Sequence, residues 1–354
     1  MRRTIFSGNI IAWYKENKRD LPWRNTQDPF KIWLSEVILQ QTRVKQGLPY
    51  YETFVQKYPN VAALAQAKEQ DVLRTWQGLG YYSRARNLHR CAKIICDEYG
   101  GEFPNTYREI IKLPGIGAYT AAAIASFAFG EKVAVVDGNV YRVLSRVFGL
   151  HDDIATGKGQ KVFAKLAQEL IPSSDPAEYN QGIMEFGAMH CTPKSPGCPN
   201  CVLAVECHAR REGLQDKLPV KSKKLKVKHR FFNYVSVVND GKLLVKPREE
   251  KDIWQGLYDF HLVETQKPTG LDLLSDLDLL VRSLREAGAE VAVSDEYVHI
   301  LSHQRIHATF YTFYLNNNTT SIPMVNKTSF HPLEEVLNLP KPVLISRYLN
   351  DTFF

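Results

Sequence analysis

Leu113-Pro114-Gly115-Ile116-Gly117-Ala118-Tyr119-Thr120-Ala121-Ala122-Ala123 is the stretch on which the reading of this chain turns. Two glycines separated by one residue precede a helical run, Ala118 to Phe129. Glycine lets the backbone come close to a ligand, and the first N–H groups of a helix have no partner inside it. Such a turn can hold a phosphate without reading a base. A Gly-x-Gly pair is weak evidence alone, and an ordinary connection between two helices would carry the same residues.

The next stretch sharpens the reading. An apolar segment, Val133 to Val136, leads into Asp137-Gly138-Asn139 and then a helix from Val140 to Phe148. Asp is a common helix N-cap, so Asp137 has a structural role ready for it. A cap and a catalytic carboxylate are compatible. Upstream, Phe30 to Val44 reads as one helix, with Glu36 a turn from Ile32, Trp33, Leu39 and Gln40. Desolvation of a carboxylate on a mostly apolar face would raise its pKa and suit a general acid; the alternative, an exposed helix Glu, would need a less apolar surround. Cleavage of an N-glycosidic bond uses two carboxylates in different environments. One protonates the leaving base and the other stabilises the cation that develops on the sugar. Glu36 is assigned the first role and Asp137 the second.

Downstream, Cys191, Cys198, Cys201 and Cys207 are spaced Cys-x6-Cys-x2-Cys-x5-Cys within seventeen residues. Four thiols in so short a loop, in a chain without an export signal, suggest a metal centre rather than disulfides. Thiolates suit zinc or an iron–sulfur cluster, and ligand chemistry leaves both open. Lys194, Arg210 and Arg211 add positive charge nearby. The remaining two cysteines, Cys91 and Cys96, read as core thiols.

The whole chain has 354 residues, with 44% hydrophobic and 23% charged, which predicts two globular domains with real cores. No run of about 18 apolar residues suggests a membrane span, and the start lacks the apolar core of a secretory signal. The net charge of +7 is compatible with a polyanionic partner. Phe6 to Gly213 reads as helices punctuated at Pro59, Gly78, Pro104, Pro114, Gly130 and Pro172. Lys217 to Arg230, with Lys221, Lys223, Lys224, Lys226 and Lys228, reads as a basic linker or solvated loop. Beyond it the pattern turns strand-like: Phe231 to Val238, a turn at Asn239-Asp240-Gly241, and a return strand from Lys242 to Lys246. Leu271 to Ala287 reads as a helix and His307 to Leu315 as another strand. The expected architecture is a mainly α catalytic domain at 1–215, with its cysteine loop at 191–207. A linker at 216–229 and an α+β domain at 230–354 follow.

Taken together, these residues resemble the adenine DNA glycosylases, the MutY family of the helix-hairpin-helix/endonuclease III superfamily, over nearly the full chain. The resemblance rests on Leu21-Pro22-Trp23-Arg24, Glu36 to Val44, Gly78-Leu79-Gly80-Tyr81-Tyr82-Ser83-Arg84, Leu113 to Ala123, Val136 to Val140 and the cysteine loop. It implies a [4Fe–4S] cluster on the four cysteines and a helix-hairpin-helix turn at Gly115 and Gly117. It implies that Gln41 and Tyr81 wedge beside an oxidised guanine, that Tyr119 and Asn139 support Asp137, and that Arg24 and Glu185 line the pocket for a flipped adenine. The substrate would be double-stranded DNA with adenine opposite 8-oxoguanine or guanine. The protein is expected to be a cytoplasmic, nucleoid-associated bacterial monomer with no membrane attachment.

Superfamily members that also nick the strand resemble Leu-Pro-Gly-x-Gly-x-Lys, and the lysine forms a Schiff base with the sugar. Tyr119 stands at that place, so base removal without efficient strand cleavage is expected. The second domain would resemble a Nudix fold without hydrolysing anything. Around Gly256 to Glu264 and at Arg285-Glu286 no complete Nudix box is present. The family's recognition loop is typically Phe-Ser-His, whereas this chain has Leu301-Ser302-His303. Ser302 and His303 can hydrogen-bond a modified purine, but the leading aromatic is missing. Without the resemblance, His299, His303 and His307 would read as ordinary strand histidines.

Overall fold

The computed structural model describes residues 3–222, 227–315 and 327–354. The chain forms two compact units: Met1–Gln66 with Asn87–Lys224, and Ala67–Arg86 with Leu225–Phe354. Residues 67–86, which read as part of the helical stretch, thus group with the C-terminal unit. Lys223, Lys224 and Lys226 of the expected linker lie outside the described residues.

The first unit is helical. Its first helix, Arg3–Asn17, places Phe6, Ile10, Trp13 and Tyr14 on one face at helical spacing. That face packs on helices Gly138–Phe148, Gly157–Leu170 and Pro176–Met189 through Val143, Leu144, Phe163, Tyr179 and Phe186. Full burial of each such side chain contributes about 1.5–3 kcal/mol. Gly182 allows close helix contact, since a Cβ there would sit 3.1 Å from Ile10 Cγ2 and 3.2 Å from Tyr14 Cβ. The alanine-rich helix Ala118–Phe129 is buried along Ala121 to Ala125 and packs against helix Pro29–Leu39.

Helix Pro29–Leu39 is shorter than the single Phe30–Val44 helix read from the sequence. Asp28 caps its start through Phe30 N. It stops before Gln41, whose φ of +56° cannot continue a right-handed helix. A second helix, Val44–Lys57, folds back at Gly47, where a Cβ would meet Leu39 Cδ2 at 2.9 Å. Periodicity ran through this break because apolar residues occur on both sides of it. Cys91 is buried as expected, but Cys96 is only half-buried. At the other end of the unit Leu218 is buried; its carbonyl accepts from Arg146 Nε at 3.2 Å, and Val220 O accepts from Ile154 N at 3.1 Å.

The second unit carries a mixed sheet of eight strands among the described residues. These are β1 (Lys228–Asn239), β2 (Lys242–Pro247), β3 (Tyr258–Asp259), β4 (His261–Thr265), β5 (Glu290–Val293), β6 (Tyr297–Ile300), β7 (Gln304–Tyr314) and β8 (Ser329–Pro332). The central β1 runs parallel to β7 from Lys228↔Gln304 to Val238↔Tyr314 and antiparallel to β4. The expected hairpin joins β1 to β2, with Asp240 and Gly241 both at positive φ, as its tight turn requires. β2 also pairs with β8, and β7 with β5 and β6.

The expected helix Leu271–Ala287 is two helices, Leu271–Leu277 and Leu279–Glu286. Asp278 is extended between them, and its carboxylate caps the second through Val281 N. Apolar spacing on both sides hid the cap. No described helix is long and apolar enough to cross a membrane. The observed class is the expected one: a helical unit and an α+β unit.

Candidate active site

A cavity of about 590 Å³ in the helical unit gathers Glu36, Tyr119, Asp137, Asn139, Arg24 and Glu185. Three local devices bring in the first four. Helix Pro29–Leu39 turns Glu36 inward, leaving it 7% exposed. The glycine turn starts the helix that carries Tyr119 as its second residue, and Asp137 caps the helix Gly138–Phe148 that carries Asn139.

Burial pushes the Glu36 carboxyl up to about 7. A hydrogen bond with the Tyr119 hydroxyl opposes that rise, the charge of Asp137 adds to it, and Arg24 opposes it weakly. Burial also drives the Tyr119 hydroxyl well above its ordinary range, reinforced by the two carboxylates, so it remains a donor. Asp137 is raised by burial too, but it accepts from Val140 N at 2.8 Å and from Asn139 Nδ2 at 2.7 Å, and Arg142 adds positive charge. These bonds favour its ionised form. Two carboxyls therefore share one cavity with different support. Glu36 has a phenol and the charge of Arg24; Asp137 has a helix start, an amide and a nearby guanidinium.

Glu185, 1% exposed, forms the far wall. Burial would raise it, but hydrogen bonds from Arg19 and Arg24 hold it down at about 2. Arg19 Nη2 lies 2.6 Å and Arg24 Nη2 2.7 Å from Glu185 Oε2. Arg19 was not singled out by the sequence; its five-residue offset from Arg24 gave no local pattern. Arg142 was missed as well. It is nearly buried, donating to Asn139 Oδ1 at 2.8 Å, Gly187 O at 2.7 Å and Cys191 O at 2.8 Å. Arg146, one turn on, donates to Thr192 O at 2.7 Å and lies 3.4 Å from Cys191 Sγ. A buried Arg on an amphipathic helix was the available signal.

Gln41 also lines this cavity, exposed and held at positive φ. Gly115 and Gly117 differ from each other. Gly115 has φ +77°, and a Cβ there would fall 2.6 Å from Asn87 Cβ. Gly117 has φ −93° and open space where a Cβ would go. Internal packing thus demands glycine at 115 but not at 117.

The four cysteines of the 191–207 loop are free thiols, all half-buried. Burial raises Cys201 to about 11, and the other three sulfurs push it in the same direction, so the four lie within electrostatic reach of one another. Leu203 N donates to Cys201 Sγ at 3.4 Å. Among the described residues no three His, Cys, Asp or Glu side chains converge to metal-binding distance. In donor chemistry the set fits a thiolate-bound centre, with N–H groups and Arg146 directed at sulfur.

The second unit has its own cavity, about 390 Å³, lined by Tyr81, Trp254, Leu301, Ser302 and His303 among others. Tyr81 is 41% exposed with φ +47°, and its hydroxyl donates to Ser302 Oγ at 2.5 Å. Ser302 Oγ lies 3.1 Å from His303 Nδ1. The Leu301-Ser302-His303 segment is the tight connection from β6 to β7, closed by Leu301 N donating to Gln304 O at 2.8 Å. Leu301 is half-buried in the wall of the cavity, while Ile300 is 68% exposed. Of the other strand histidines, His299 is packed on Trp254 and His307 is hydrogen-bonded to Glu296 and His229.

Residues 34–172 match the HhH-GPD superfamily of base excision DNA repair proteins, and residues 233–351 match the NUDIX domain family. An adenine DNA glycosylase of Buchnera aphidicola (subspecies Schizaphis graminum) is 33% identical over 347 residues, covering 96% of each chain. The Homo sapiens adenine DNA glycosylase is 42% identical over 224 residues, which is 61% of this chain and 41% of that one. Among solved structures, a thermostable thymine-DNA glycosylase superposes with TM-score 0.54 at 31% identity, covering 59% of this chain and 97% of its own. An endonuclease III–DNA complex superposes with TM-score 0.52 at 24% identity, covering 61% and 99%, and shares the fold.

Proposed function

The chain belongs to the adenine DNA glycosylases, enzymes of base excision repair, and from that premise we propose that it excises adenine opposite 8-oxoguanine, and opposite guanine, by hydrolysis alone. The observation that carries this reading is the pairing of Glu36 and Asp137 in one cavity, with Glu36 titrating at about 7. At neutral pH a substantial fraction of Glu36 holds a proton to give to the departing adenine. The N-glycosidic bond breaks with its electron pair going to the base, and cationic character develops on the sugar. Asp137, whose carboxylate accepts from Val140 N and Asn139 Nδ2, faces that cation until water adds. Tyr119 orients Glu36 through their hydrogen bond. A phenol cannot form an imine with the sugar, so the strand stays intact.

Arg24 and Glu185, with Arg19, form a rigid charged wall suited to the edge of a flipped adenine. Gly115 sets the turn. Gly117 leaves the uncapped helix start open to a DNA phosphate. Gln41 and Tyr81 project from left-handed backbone and would enter the base stack. Ser302 and His303 would read the opposite purine, whose 8-oxo form offers an O8 acceptor and an N7–H donor. Cys191, Cys198, Cys201 and Cys207 would hold a [4Fe–4S] cluster, which supplies a fully ligated structural or electron-carrying centre when bound. Such an enzyme works on chromosomal DNA, and a cytoplasmic, nucleoid-associated monomer fits that role.

The test is to incubate the protein with duplexes carrying A opposite 8-oxoguanine, A opposite G, A opposite T, or thymine glycol. Products are resolved before and after alkali. Alkali-dependent cleavage at A opposite 8-oxoguanine and G, and none at A opposite T, is the expected pattern. Equal release from A opposite T, or nicking without alkali, would overturn the proposal.

A further inference from the structure

Arg230, with a side chain 8% exposed, is bonded to Asp252 in the wall of the 390 Å³ cavity. Its guanidinium uses all five of its N–H groups. Nε and Nη2 donate to the two Glu264 oxygens on β4, at 2.7 and 2.6 Å. Nη1 and Nη2 donate to the two Asp252 oxygens, at 3.0 and 2.7 Å. The remaining Nη1 hydrogen goes to Gln304 Oε1, at 3.2 Å. One face of the plane lies over the Phe232 ring, 4.7 Å from its centroid. Two bidentate carboxylates and a stacked ring fix both the position and the rotation of this group.

Two of its three polar partners adjoin or form the cavity wall. Asp252, with Ile253 and Trp254, makes one side, where Trp254 is buried and held at φ +64°. Gln304 directly follows His303, and its carbonyl closes the Leu301–Gln304 turn. Lys228 N also donates to His303 O, at 3.0 Å, so the turn is tied to β1 by backbone and side chain together. Gln304 is therefore the side-chain link between a rigid ion cluster and an exposed loop.

We propose that Arg230, acting through Gln304, is a positioning residue that sets the pose of Ser302 and His303 and thereby the selectivity for the base opposite adenine. The proposal rests on the reading that Ser302 and His303 contact that base. A merely structural Arg230 would support the sheet through Glu264 and Asp252 and be indifferent to Gln304. Selectivity set through the loop depends on the Gln304 acceptor itself.

The experiment uses the full chain and four variants: Gln304→Met, which removes the acceptor; Gln304→Glu, which keeps it; Arg230→Lys, which loses the planar fork; and Ser302→Ala with His303→Ala. Single-turnover adenine release is measured on A opposite 8-oxoguanine and A opposite G, beside the melting temperature of each protein. Gln304→Met should lower the rate ratio by about threefold to tenfold, the effect of one hydrogen bond, with little change in melting. Gln304→Glu should restore the ratio. Arg230→Lys should lower it at least as far, and adding Gln304→Met to that background should lower it no further. If the Ser302/His303 variant loses the ratio while Gln304→Met keeps it, Arg230 is structural only and the proposal is overturned. If the Ser302/His303 variant keeps the wild-type ratio, the lesion-reading role itself fails, and this proposal with it. Because Gln304→Met leaves both carboxylate pairs intact, an Arg230→Lys protein that does not fold leaves the decision to Gln304.

Discussion

Replacing Glu36 with Gln should nearly abolish adenine release and, at alkaline pH, make the protein more stable. The side chain is 7% exposed, and burial raises it from an ordinary 4.5 to about 7. The unfolded chain holds it near 4.5, so between that pH and about 7 the folded state binds the extra proton. Stability from Glu36 is full below 4.5 and is lost as pH rises through about 7. A separation of pH 4.5 to about 7, at roughly 1.4 kcal/mol per pH unit, makes the loss about 3 kcal/mol above neutrality. Gln is neutral throughout and can still accept from the Tyr119 hydroxyl, so it escapes that loss. Urea unfolding of both proteins at pH 5.5 and pH 8.5 measures the difference. The advantage of Glu36→Gln should grow by about 2 kcal/mol between the two, the part of the range still titrating above pH 5.5. Over the same range the wild-type single-turnover rate should fall as pH passes about 7, because ionised Glu36 has no proton to give. The variant should be slower by roughly 100-fold to 10,000-fold, the usual worth of a general acid, and insensitive to this pH change. A stability difference that does not change between pH 5.5 and 8.5 would refute the desolvated-acid reasoning. DNA binding should survive, since affinity comes mainly from phosphate contacts.

Gly115→Ala should destabilise the helical unit by about 1–2 kcal/mol from its left-handed backbone alone, and further through Asn87, as thermal melting will show. Gly117→Ala should melt like wild type but bind duplex DNA more weakly in titrations, because the Cβ would intrude only on whatever approaches from outside. Tyr119→Lys should introduce strand nicking and a borohydride-trappable adduct, since an amine would then stand beside Asp137; efficient trapping by the wild type would contradict hydrolysis alone. Purified protein should be yellow-brown, and metal analysis should find iron; stoichiometric zinc without iron would rule out the cluster.

Much of this protein is legible along the chain because its signals are local. The cysteine spacing, the glycine turn before Ala118, and an Asp standing before a helix each lie within a few residues. Glu36 could be placed on an apolar face from periodicity alone, since residues three and four apart share a helix surface. Periodicity also misled. It ran through Gln41 and through Asp278, where a left-handed residue and an N-cap end helices that apolar spacing would have continued. Leu218 read as linker, yet it is buried, because its partners on helix Gly138–Phe148 are more than seventy residues away.

What tertiary structure alone decided is which charges meet. Arg19 pairs with Glu185 across 166 positions, and Tyr81 with Ser302 across 221. No spacing rule reaches so far. Local order follows from short-range backbone preference and side-chain period, so the sequence by itself determined the helical and strand-rich halves, the hairpin and the two candidate carboxylates, but not where every helix ends. The pKa of Glu36, the ionic wall around Glu185 and the ion cluster behind Ser302 depend on burial and on distances of a few ångströms. Those exist only once distant segments exclude water from one another.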